Sequence, residues 1–192
     1  MTTITPLAIP EVLLITPKRH GDARGWFSES WSRKTFLSLG LNHDFMQDNQ
    51  AFNAKAGTVR GLHFQQSPHA QAKLVRVLAG AIFDVAVDVR ASSPTYGQWV
   101  GAELTASGGE QFLVPRGFAH GYVTLVDDTM LAYKVDGEYA PATEGGVLWN
   151  DPDLAIDWPL PGVEATLSEK DLVLPRLRDM VQIGRASCRE RV

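Results

Sequence analysis

Short runs of alternating apolar and polar residues, separated by turn residues, constrain the fold of this chain more than any other feature. In residues 82–89 every odd-numbered position is Phe or Val, and the even-numbered positions include Asp84 and Asp88. A period of two is typical of a β-strand. Residues 74–78 and 82–89, with Gly80 between them, predict a β-hairpin. Further strands are predicted at 12–16, 57–63, 99–104, 110–114, 121–125, 130–135 and 146–149.

Helical signals are short. Ser32 precedes a helix predicted over residues 33–39 and ended by Gly40, and Ser168 opens another near the C-terminus. Many short strands with frequent Gly and Pro therefore predict an all-β fold with short peripheral helices. This pattern alone leaves a sandwich and a jelly-roll barrel equally open.

Composition excludes several classes of protein. A hydrophobic content of 44% and a charged content of 21% over 192 residues are typical of a globular domain, not of a disordered chain. No apolar run approaches the roughly 20 residues that span a bilayer, so we expect no membrane partner. A net charge of −4 argues against nucleic acid as a partner. We therefore expect a cytoplasmic protein.

The last ten residues differ from the rest. Residues 183–192 show neither strand alternation nor a helical period, and they can be encoded by the reverse complement of a common short-read sequencing adapter. We interpret them as a non-native tail, the alternative being a disordered native one. Residues 1–182 are then a single domain with a net charge of −6 and no cysteine, since Cys188 lies in the tail.

Two segments share a spacing that indicates the architecture. Gly57 is followed after five residues by His63, and Gly109 is followed after five residues by Pro115, which opens a P-x-G-x-x-H turn ending at His120. They resemble the paired motifs of the cupin superfamily, which implies a jelly-roll barrel. Metal-binding cupins carry a second His where Gln65 stands here, and zinc and iron sites generally need three protein ligands. We therefore expect no metal.

Cationic side chains are concentrated beside the predicted strands: Arg60, His63, Lys73, Arg76 and His120. Brought together in a barrel, they would suit an anionic ligand such as a phosphate or pyrophosphate. The alternative is that these cationic side chains simply lie on a solvent-exposed face and bind no ligand. Arg60 and His63, three residues apart, would lie on opposite faces of a strand unless a turn or bulge at Gly61 brings both inward.

Ten motifs in order give a more specific resemblance. They are GDARGWFSE (21–29), QDN (47–49), RGLHFQ (60–65), AQAKLV (70–75), FDVAVDVR (83–90), SPTYG (93–97), PRGFAHG (115–121), YK (133–134), WNDP (149–152) and LSEKD (167–171). Over about residues 5–177 the chain resembles the dTDP-4-dehydrorhamnose 3,5-epimerases. Among the departures, Ala51 and Asn53 fall where we expect a variable loop.

The resemblance implies a dTDP-linked 4-keto-6-deoxyhexose as substrate and no cofactor. The protons on C3 and C5 are acidic because both carbons are bonded to the C4 carbonyl carbon. Epimerisation therefore needs only a base, a proton donor on the opposite face and a cation for the enolate oxygen. His63 matches the base, Asp171 the carboxylate that orients it, Tyr133 the proton donor and Lys73 the cation. His120 matches a hydrogen-bond donor to the sugar.

Two carboxylates have competing interpretations. Ser168 and Asp171 have the S/T-x-x-D form of a helix capping box, which would give Asp171 a structural role. Asp84 is a candidate for supporting Lys73 across the predicted hairpin. The alternative is that Asp84 is an exposed polar residue of an alternating strand.

The resemblance also implies a nucleotide site. The residues that match family contacts to the base, deoxyribose or diphosphate are Arg24, Glu29, Gln47, Asp48, Asn49, Arg60 and Lys170. Phe27 and Tyr139 match aromatic residues that border the thymine, and Glu144 matches a further residue of the family's site. Taken alone, residues 22–25 would be a turn and Phe27 a core residue. The resemblance further implies a homodimer that exchanges N-terminal strands.

Two other functions remain open at this point. One is a nucleotide-sugar epimerase acting at C3 or C5 only in a related deoxysugar pathway. The other is a non-catalytic jelly roll that binds sugar nucleotides. Binding alone needs no base and acid on opposite faces, so the set of His63, Tyr133 and Asp171 favours an enzyme.

Overall fold

Two facing antiparallel sheets form the body of the protein. The computed structural model describes residues 1–160 and 162–180. In chain order the strands are β1 Thr3–Pro6, β2 Leu13–Thr16, β3 Arg19–Asp22, β4 Gly25–Ser28, β5 Gln47–Asn53, β6 Val59–Gln65, β7 Lys73–Ala79, β8 Ala81–Asp88, β9 Trp99–Thr105, β10 Gln111–Val114, β11 Phe118–Thr124, β12 Thr129–Val135 and β13 Glu144–Gly146. One sheet has the order β1-β2-β10-β7-β12-β5 and the other β13-β6-β11-β8-β9, while β3 and β4 pair only with each other.

The core lies between the two sheets. Val75 on β7, Phe112 on β10 and Leu131 on β12 pack with Ile82 on β8 and Leu104 on β9 in one buried cluster. This arrangement confirms the predicted all-β jelly-roll barrel of the cupin type. The outer face of the five-stranded sheet is covered by the C-terminal segment, and that of the six-stranded sheet by the segment around the first helix.

The predicted hairpin over residues 74–89 is wrong. Strand β7 lies between β10 and β12, whereas β8 lies in the opposite sheet between β11 and β9. Gly80 turns the chain from one sheet to the other with φ of +80°, and a Cβ there would meet Oγ1 of Thr129 at 2.3 Å. Alternation identified both strands correctly, but it carries no information about which strand each one pairs with.

Helices among the described residues are short. The helix α1 spans Arg33–Ser38, α2 spans Glu169–Leu172, and a 3₁₀ turn spans Pro141–Thr143. As predicted, Ser32 caps α1, its side chain accepting a hydrogen bond from the Thr35 backbone N–H. None of the described helices has the length and apolar character needed to cross a membrane. The tail predicted at 183–192 lies outside the described residues.

Candidate active site

A cleft opens into the barrel between the two sheets. It comprises a larger cavity of about 570 Å³ and a smaller cavity of about 340 Å³. His63, Lys73 and Tyr133 line both cavities, so the two adjoin. The predicted residues in the larger cavity are Arg60, His120, Lys170 and Asp171, and those in the smaller cavity are Gln47, Asn49, Tyr139 and Glu144.

An irregularity at Gly61 brings Arg60 and His63 into the same cleft, which is the case in which both residues could face inward. Gly61 has φ of +124°, and a Cβ there would lie 2.6 Å from the Cα of Gly121. The pairing of β6 with β11 shifts register opposite this point. Only glycine fits both the left-handed backbone and the close approach of the neighbouring strand. The shift overrides the alternation that would separate the two side chains.

His63 is held by a carboxylate from the C-terminal helix α2. Its Nε2 lies 2.6 Å from Oδ1 of Asp171, whose side chain is buried. Asp171 also caps the helix, because its backbone N–H donates to Oγ of Ser168 over 3.2 Å. The two interpretations of Asp171 are therefore compatible: the backbone amide serves the helix, and the carboxylate serves His63.

The environment of His63 suits a base. Burial lowers the pKa of the imidazole from its ordinary value of 6.5, and this outweighs the opposing effect of Asp171. A neutral ring that donates Nε2–H to Asp171 keeps a lone pair on Nδ1. The side chain is 32% exposed and lines both cavities, so the ring is accessible from the cleft.

Lys73 and Tyr133 approach from the opposite sheet, on β7 and β12. Desolvation lowers the pKa of the Lys73 ammonium to about 8, which leaves it mostly a cation at neutral pH. It donates a hydrogen bond to the backbone carbonyl of His63 over 3.2 Å. Burial raises the pKa of Tyr133 above 10, so its phenol keeps its proton. The cleft thus has an imidazole of lowered pKa on one side and a protonated phenol and a cation on the other.

A second His–Asp pair lies beside the first. His120 on β11 is the cross-strand partner of His63 on β6. Its Nε2 lies 2.7 Å from Oδ1 of Asp84, which is fully buried on β8. The even-numbered residues of β8 thus point into the barrel, and surface alternation does not describe Asp84.

Polar residues at the cleft mouth form a group of two hydrogen-bonded sets. Lys170 on α2 donates to Oε1 of Glu144 over 2.6 Å, and the Tyr139 hydroxyl donates to Oε2 of the same carboxylate over 2.9 Å. Across the mouth, the Gln47 amide donates to Asn49 over 2.8 Å. This group presents both donors and acceptors to a ligand that enters the smaller cavity.

Four predicted site residues lie outside the cleft of the single chain. Arg24 pairs with Asp22 at the tip of the β3–β4 hairpin, and Phe27 is 71% exposed. Glu29 accepts a hydrogen bond from the Thr35 hydroxyl. Asp48 points the other way along β5 and accepts hydrogen bonds from Lys134 over 2.8 Å.

Asn53 and Tyr122 are site residues that the sequence did not reveal. Nε of Arg60 donates to Oδ1 of Asn53 over 2.9 Å, and the Tyr122 hydroxyl lies 3.4 Å from the same oxygen. Asn53 is buried at the end of β5 and not in a variable loop. Because β5 is polar on both faces, no alternation marked it as a strand.

Among residues 1–160 and 162–180, no group of three or more His, Cys, Asp or Glu side chains converges as a metal site. Gln65, where a metal-binding cupin has its second His, accepts a hydrogen bond from the Thr143 hydroxyl over 2.7 Å.

Comparison with known proteins gives consistent matches. The family model described as dTDP-4-dehydrorhamnose 3,5-epimerase matches residues 6–179. An enzyme of that name from Sinorhizobium fredii is 51% identical over 178 residues, covering 91% of this chain and 89% of the relative. The Legionella pneumophila epimerase solved with dTDP-4-keto-L-rhamnose has a TM-score of 0.88 and 45% identity, covering 93% of this chain and 94% of that one. A 3'-monoepimerase from Streptomyces bikiniensis, solved with dTDP-quinovose, has a TM-score of 0.86 and 35% identity, covering 93% and 90%.

Proposed function

The chain belongs to the dTDP-4-dehydrorhamnose 3,5-epimerase family, and from this membership we propose how its residues divide the reaction. The enzyme is an isomerase that inverts C3 and C5 of dTDP-4-dehydro-6-deoxy-D-glucose, giving dTDP-4-dehydro-L-rhamnose in dTDP-L-rhamnose biosynthesis. The assignment of separate roles is supported by one observation: His63 and Tyr133 line the same cleft and belong to opposite sheets. An inversion needs a proton removed from one face and returned to the other.

His63 removes the proton. Nδ1 of the neutral ring takes the proton from C5 or C3, and the electron pair of the C–H bond moves onto the C4 oxygen as an enolate. Asp171 fixes the ring orientation and stabilises the imidazolium that forms. The residue pair thus works as a general base with an orienting carboxylate.

Lys73 and His120 stabilise the enolate, and Tyr133 returns a proton to the opposite face of the same carbon. A cation in a desolvated cleft interacts with the developing oxyanion more strongly than in water. Each inversion leaves an extra proton on His63 and a phenolate at Tyr133. Because His63 is partly exposed, exchange with water restores both groups, and solvent hydrogen is incorporated at the inverted carbon.

Incubation of the enzyme with its keto-sugar nucleotide in deuterated water, followed by NMR at C3 and C5, tests the function. We expect loss of both proton signals and formation of the L-lyxo ketosugar. Loss of only one signal would indicate epimerisation at a single carbon. Loss of neither would indicate that the protein binds the sugar nucleotide without converting it.

For the nucleotide, we propose that the smaller cavity and its mouth bind the dTDP group. Gln47, Asn49 and Glu144 offer hydrogen bonds, Tyr139 offers an aromatic face, and Arg60 and Lys170 carry positive charge toward the diphosphate. We place the reaction in the cytoplasm, which stays a prediction.

We further propose a homodimer in which the β3–β4 hairpin of each chain completes the cleft of its partner. Arg24, Phe27 and Glu29 lie outside the cleft of their own chain, and the exposed Trp26 and Phe27 present an apolar surface at the hairpin. Asp48 on the edge strand β5 would then lie beside the incoming hairpin.

Subunit complementation tests this arrangement. His63→Ala removes the base and Phe27→Ala removes an aromatic ring of the hairpin, so each homodimer is impaired. Co-expressed heterodimers would contain one intact site, restoring about a quarter of the native sites in a random mixture. Activity of the mixture equal to the mean of the two variants would contradict a shared site.

A further inference from the structure

Arg60 is an exposed residue of β6 whose guanidinium is hydrogen-bonded along one edge. Its Nε donates to Oδ1 of Asn53 over 2.9 Å, and its Nη2 donates to the backbone carbonyl of Phe52 over 3.4 Å. In the planar guanidinium, Nε–H and one N–H of Nη2 form one edge, and the N–H groups of Nη1 and Nη2 form the other. Within residues 1–160 and 162–180 the protein uses only the first edge, and Arg60 lines the larger cavity.

The side chain of Asn53 is itself fixed. Asn53 is the last residue of β5 and is only 3% exposed. Its Oδ1 accepts hydrogen bonds from Arg60 and from the hydroxyl of the buried Tyr122. Its Nδ2 donates over 3.3 Å to the backbone carbonyl of Thr129, the cross-strand partner of Asn53 on β12. Exchange of the amide oxygen and nitrogen would place the NH₂ group against two donors, so the amide has one favourable orientation.

We propose that Asn53 is a positioning residue that holds the Arg60 guanidinium so that its Nη1–Nη2 edge faces the cleft and binds the diphosphate of the dTDP group. This inference rests on the proposed contact between Arg60 and the diphosphate. It adds which edge of the guanidinium meets the phosphate oxygens and which residue fixes that edge. Asn53 is not among the residues that line the two cavities, so it acts through Arg60.

The physical reason is that a long side chain loses rotamer freedom when it binds an anion. Because Asn53 restricts Arg60 before the ligand arrives, less freedom is lost on binding. Asn53 is neutral, so it orients the guanidinium without offsetting its charge. Lys170 differs in this respect, because its ammonium donates to the carboxylate of Glu144 over 2.6 Å. Arg60 therefore keeps its full positive charge for the diphosphate.

Replacement of Asn53 by leucine removes the acceptor while keeping a similar volume. With dTDP as the probe in calorimetry, Asn53→Leu should raise Kd about 3- to 10-fold, because Arg60 is no longer preorganised. KM for the keto-sugar nucleotide should rise by a similar factor, while kcat stays within about 3-fold of the native value, since the lost binding is common to substrate and transition state. Asn53→Ala, with a smaller side chain, should behave in the same way.

A double-mutant cycle separates positioning of Arg60 from a structural role. Arg60→Ala should weaken dTDP binding about 10-fold or more, because a charge-assisted contact to the diphosphate is lost. Adding Asn53→Leu to Arg60→Ala should change Kd by less than about 2-fold, because no guanidinium is left to position. A purely structural effect of Asn53→Leu would appear to the same extent in both backgrounds.

Thr129→Val is the matched control. Thr129 is fully buried opposite Asn53, and its hydroxyl donates to the backbone carbonyl of Val126 over 2.9 Å. Valine has nearly the same shape but no hydroxyl, so this variant removes a buried hydrogen bond next to Asn53 without touching Arg60. We expect a lower melting temperature and native affinity for dTDP.

Native dTDP affinity in the folded Asn53 variants would overturn the inference. Equal weakening by Asn53→Leu with and without Arg60 would also overturn it, as would native affinity in Arg60→Ala. Failure of both Asn53 variants to fold, with Thr129→Val folded, would assign Asn53 to folding alone and overturn it too. The proposed epimerase function is judged separately, because it is tested by proton exchange in the native enzyme.

Discussion

Two His–Asp pairs have their histidines on neighbouring strands of one sheet, and their surroundings differ. His63 and His120 are cross-strand partners, and each is bonded to a carboxylate through Nε2. The His63 side chain is 32% exposed, whereas that of His120 is 8% exposed. The proposed mechanism accordingly uses the accessible ring as the base and the enclosed ring as a fixed hydrogen-bonding group.

The carboxylates differ as well. Asp171 lies in the C-terminal helix α2, far along the chain from His63. Asp84, by contrast, lies on β8, the strand next to the one that carries His120. The more exposed pair thus joins a strand and a helix, and the enclosed pair lies within one sheet. If the proposed roles hold, placement of the ring, and not the identity of the pair, decides which histidine moves a proton.

Substitution of His63 should have the largest effect on catalysis. We expect His63→Ala to lower proton exchange at C3 and C5 by about 10³-fold or more, because the base is lost. Affinity for dTDP should stay within a few-fold of the native value, as measured by calorimetry. Native exchange in this variant would transfer the role of base to another residue.

Asp171→Asn should have the next largest effect, about 10²-fold on kcat. Asp171 raises the His63 pKa, so its removal lowers that pKa further. Because activity needs a neutral His63 and is lost as the pH falls through its pKa, the acid limb of the pH profile should move to lower pH. A limb that moves to higher pH would contradict the pairing.

His120→Gln should have the smallest effect, about 10-fold to 10²-fold on kcat, because one hydrogen bond is lost while the base remains. Exchange at C3 and C5 should persist, and the melting temperature should fall because Asp84 loses a partner. NMR exchange and thermal unfolding of the same sample check both points. Complete loss of exchange in a folded protein would mean that the two pairs are not functionally distinct.

Alternation predicted the strands that are apolar on at least one face, but not the polar ones. Strand β5 has mostly accessible positions and lies at a sheet edge, and the β3–β4 hairpin pairs only with itself. Neither buries a regular apolar face, so neither has a periodic signal. The pairing of strands could not be predicted from the sequence either, as the incorrect hairpin around Gly80 shows.

The site was predictable from motifs and not from physical reasoning alone. Residue types could suggest a bulge at Gly61, yet only the resemblance linked His63 to Asp171, which is 108 residues away along the chain. Asn53 and Tyr122 were missed because their contacts are made in three dimensions: Asn53 accepts a hydrogen bond from Arg60, and Tyr122 donates to Asn53. Such contacts arise from tertiary packing, which local patterns do not encode.

In the proposed mechanism, a proton leaves to His63 on one side of the cleft and returns from Tyr133 on the other. Tyr133→Phe removes the donor and leaves the base and its carboxylate in place. In deuterated water, this variant should still exchange substrate protons through His63 but return deuterium to the same face, so exchange should far exceed formation of inverted product. Inversion at the native rate, with the native ratio of inversion to exchange, would contradict the account.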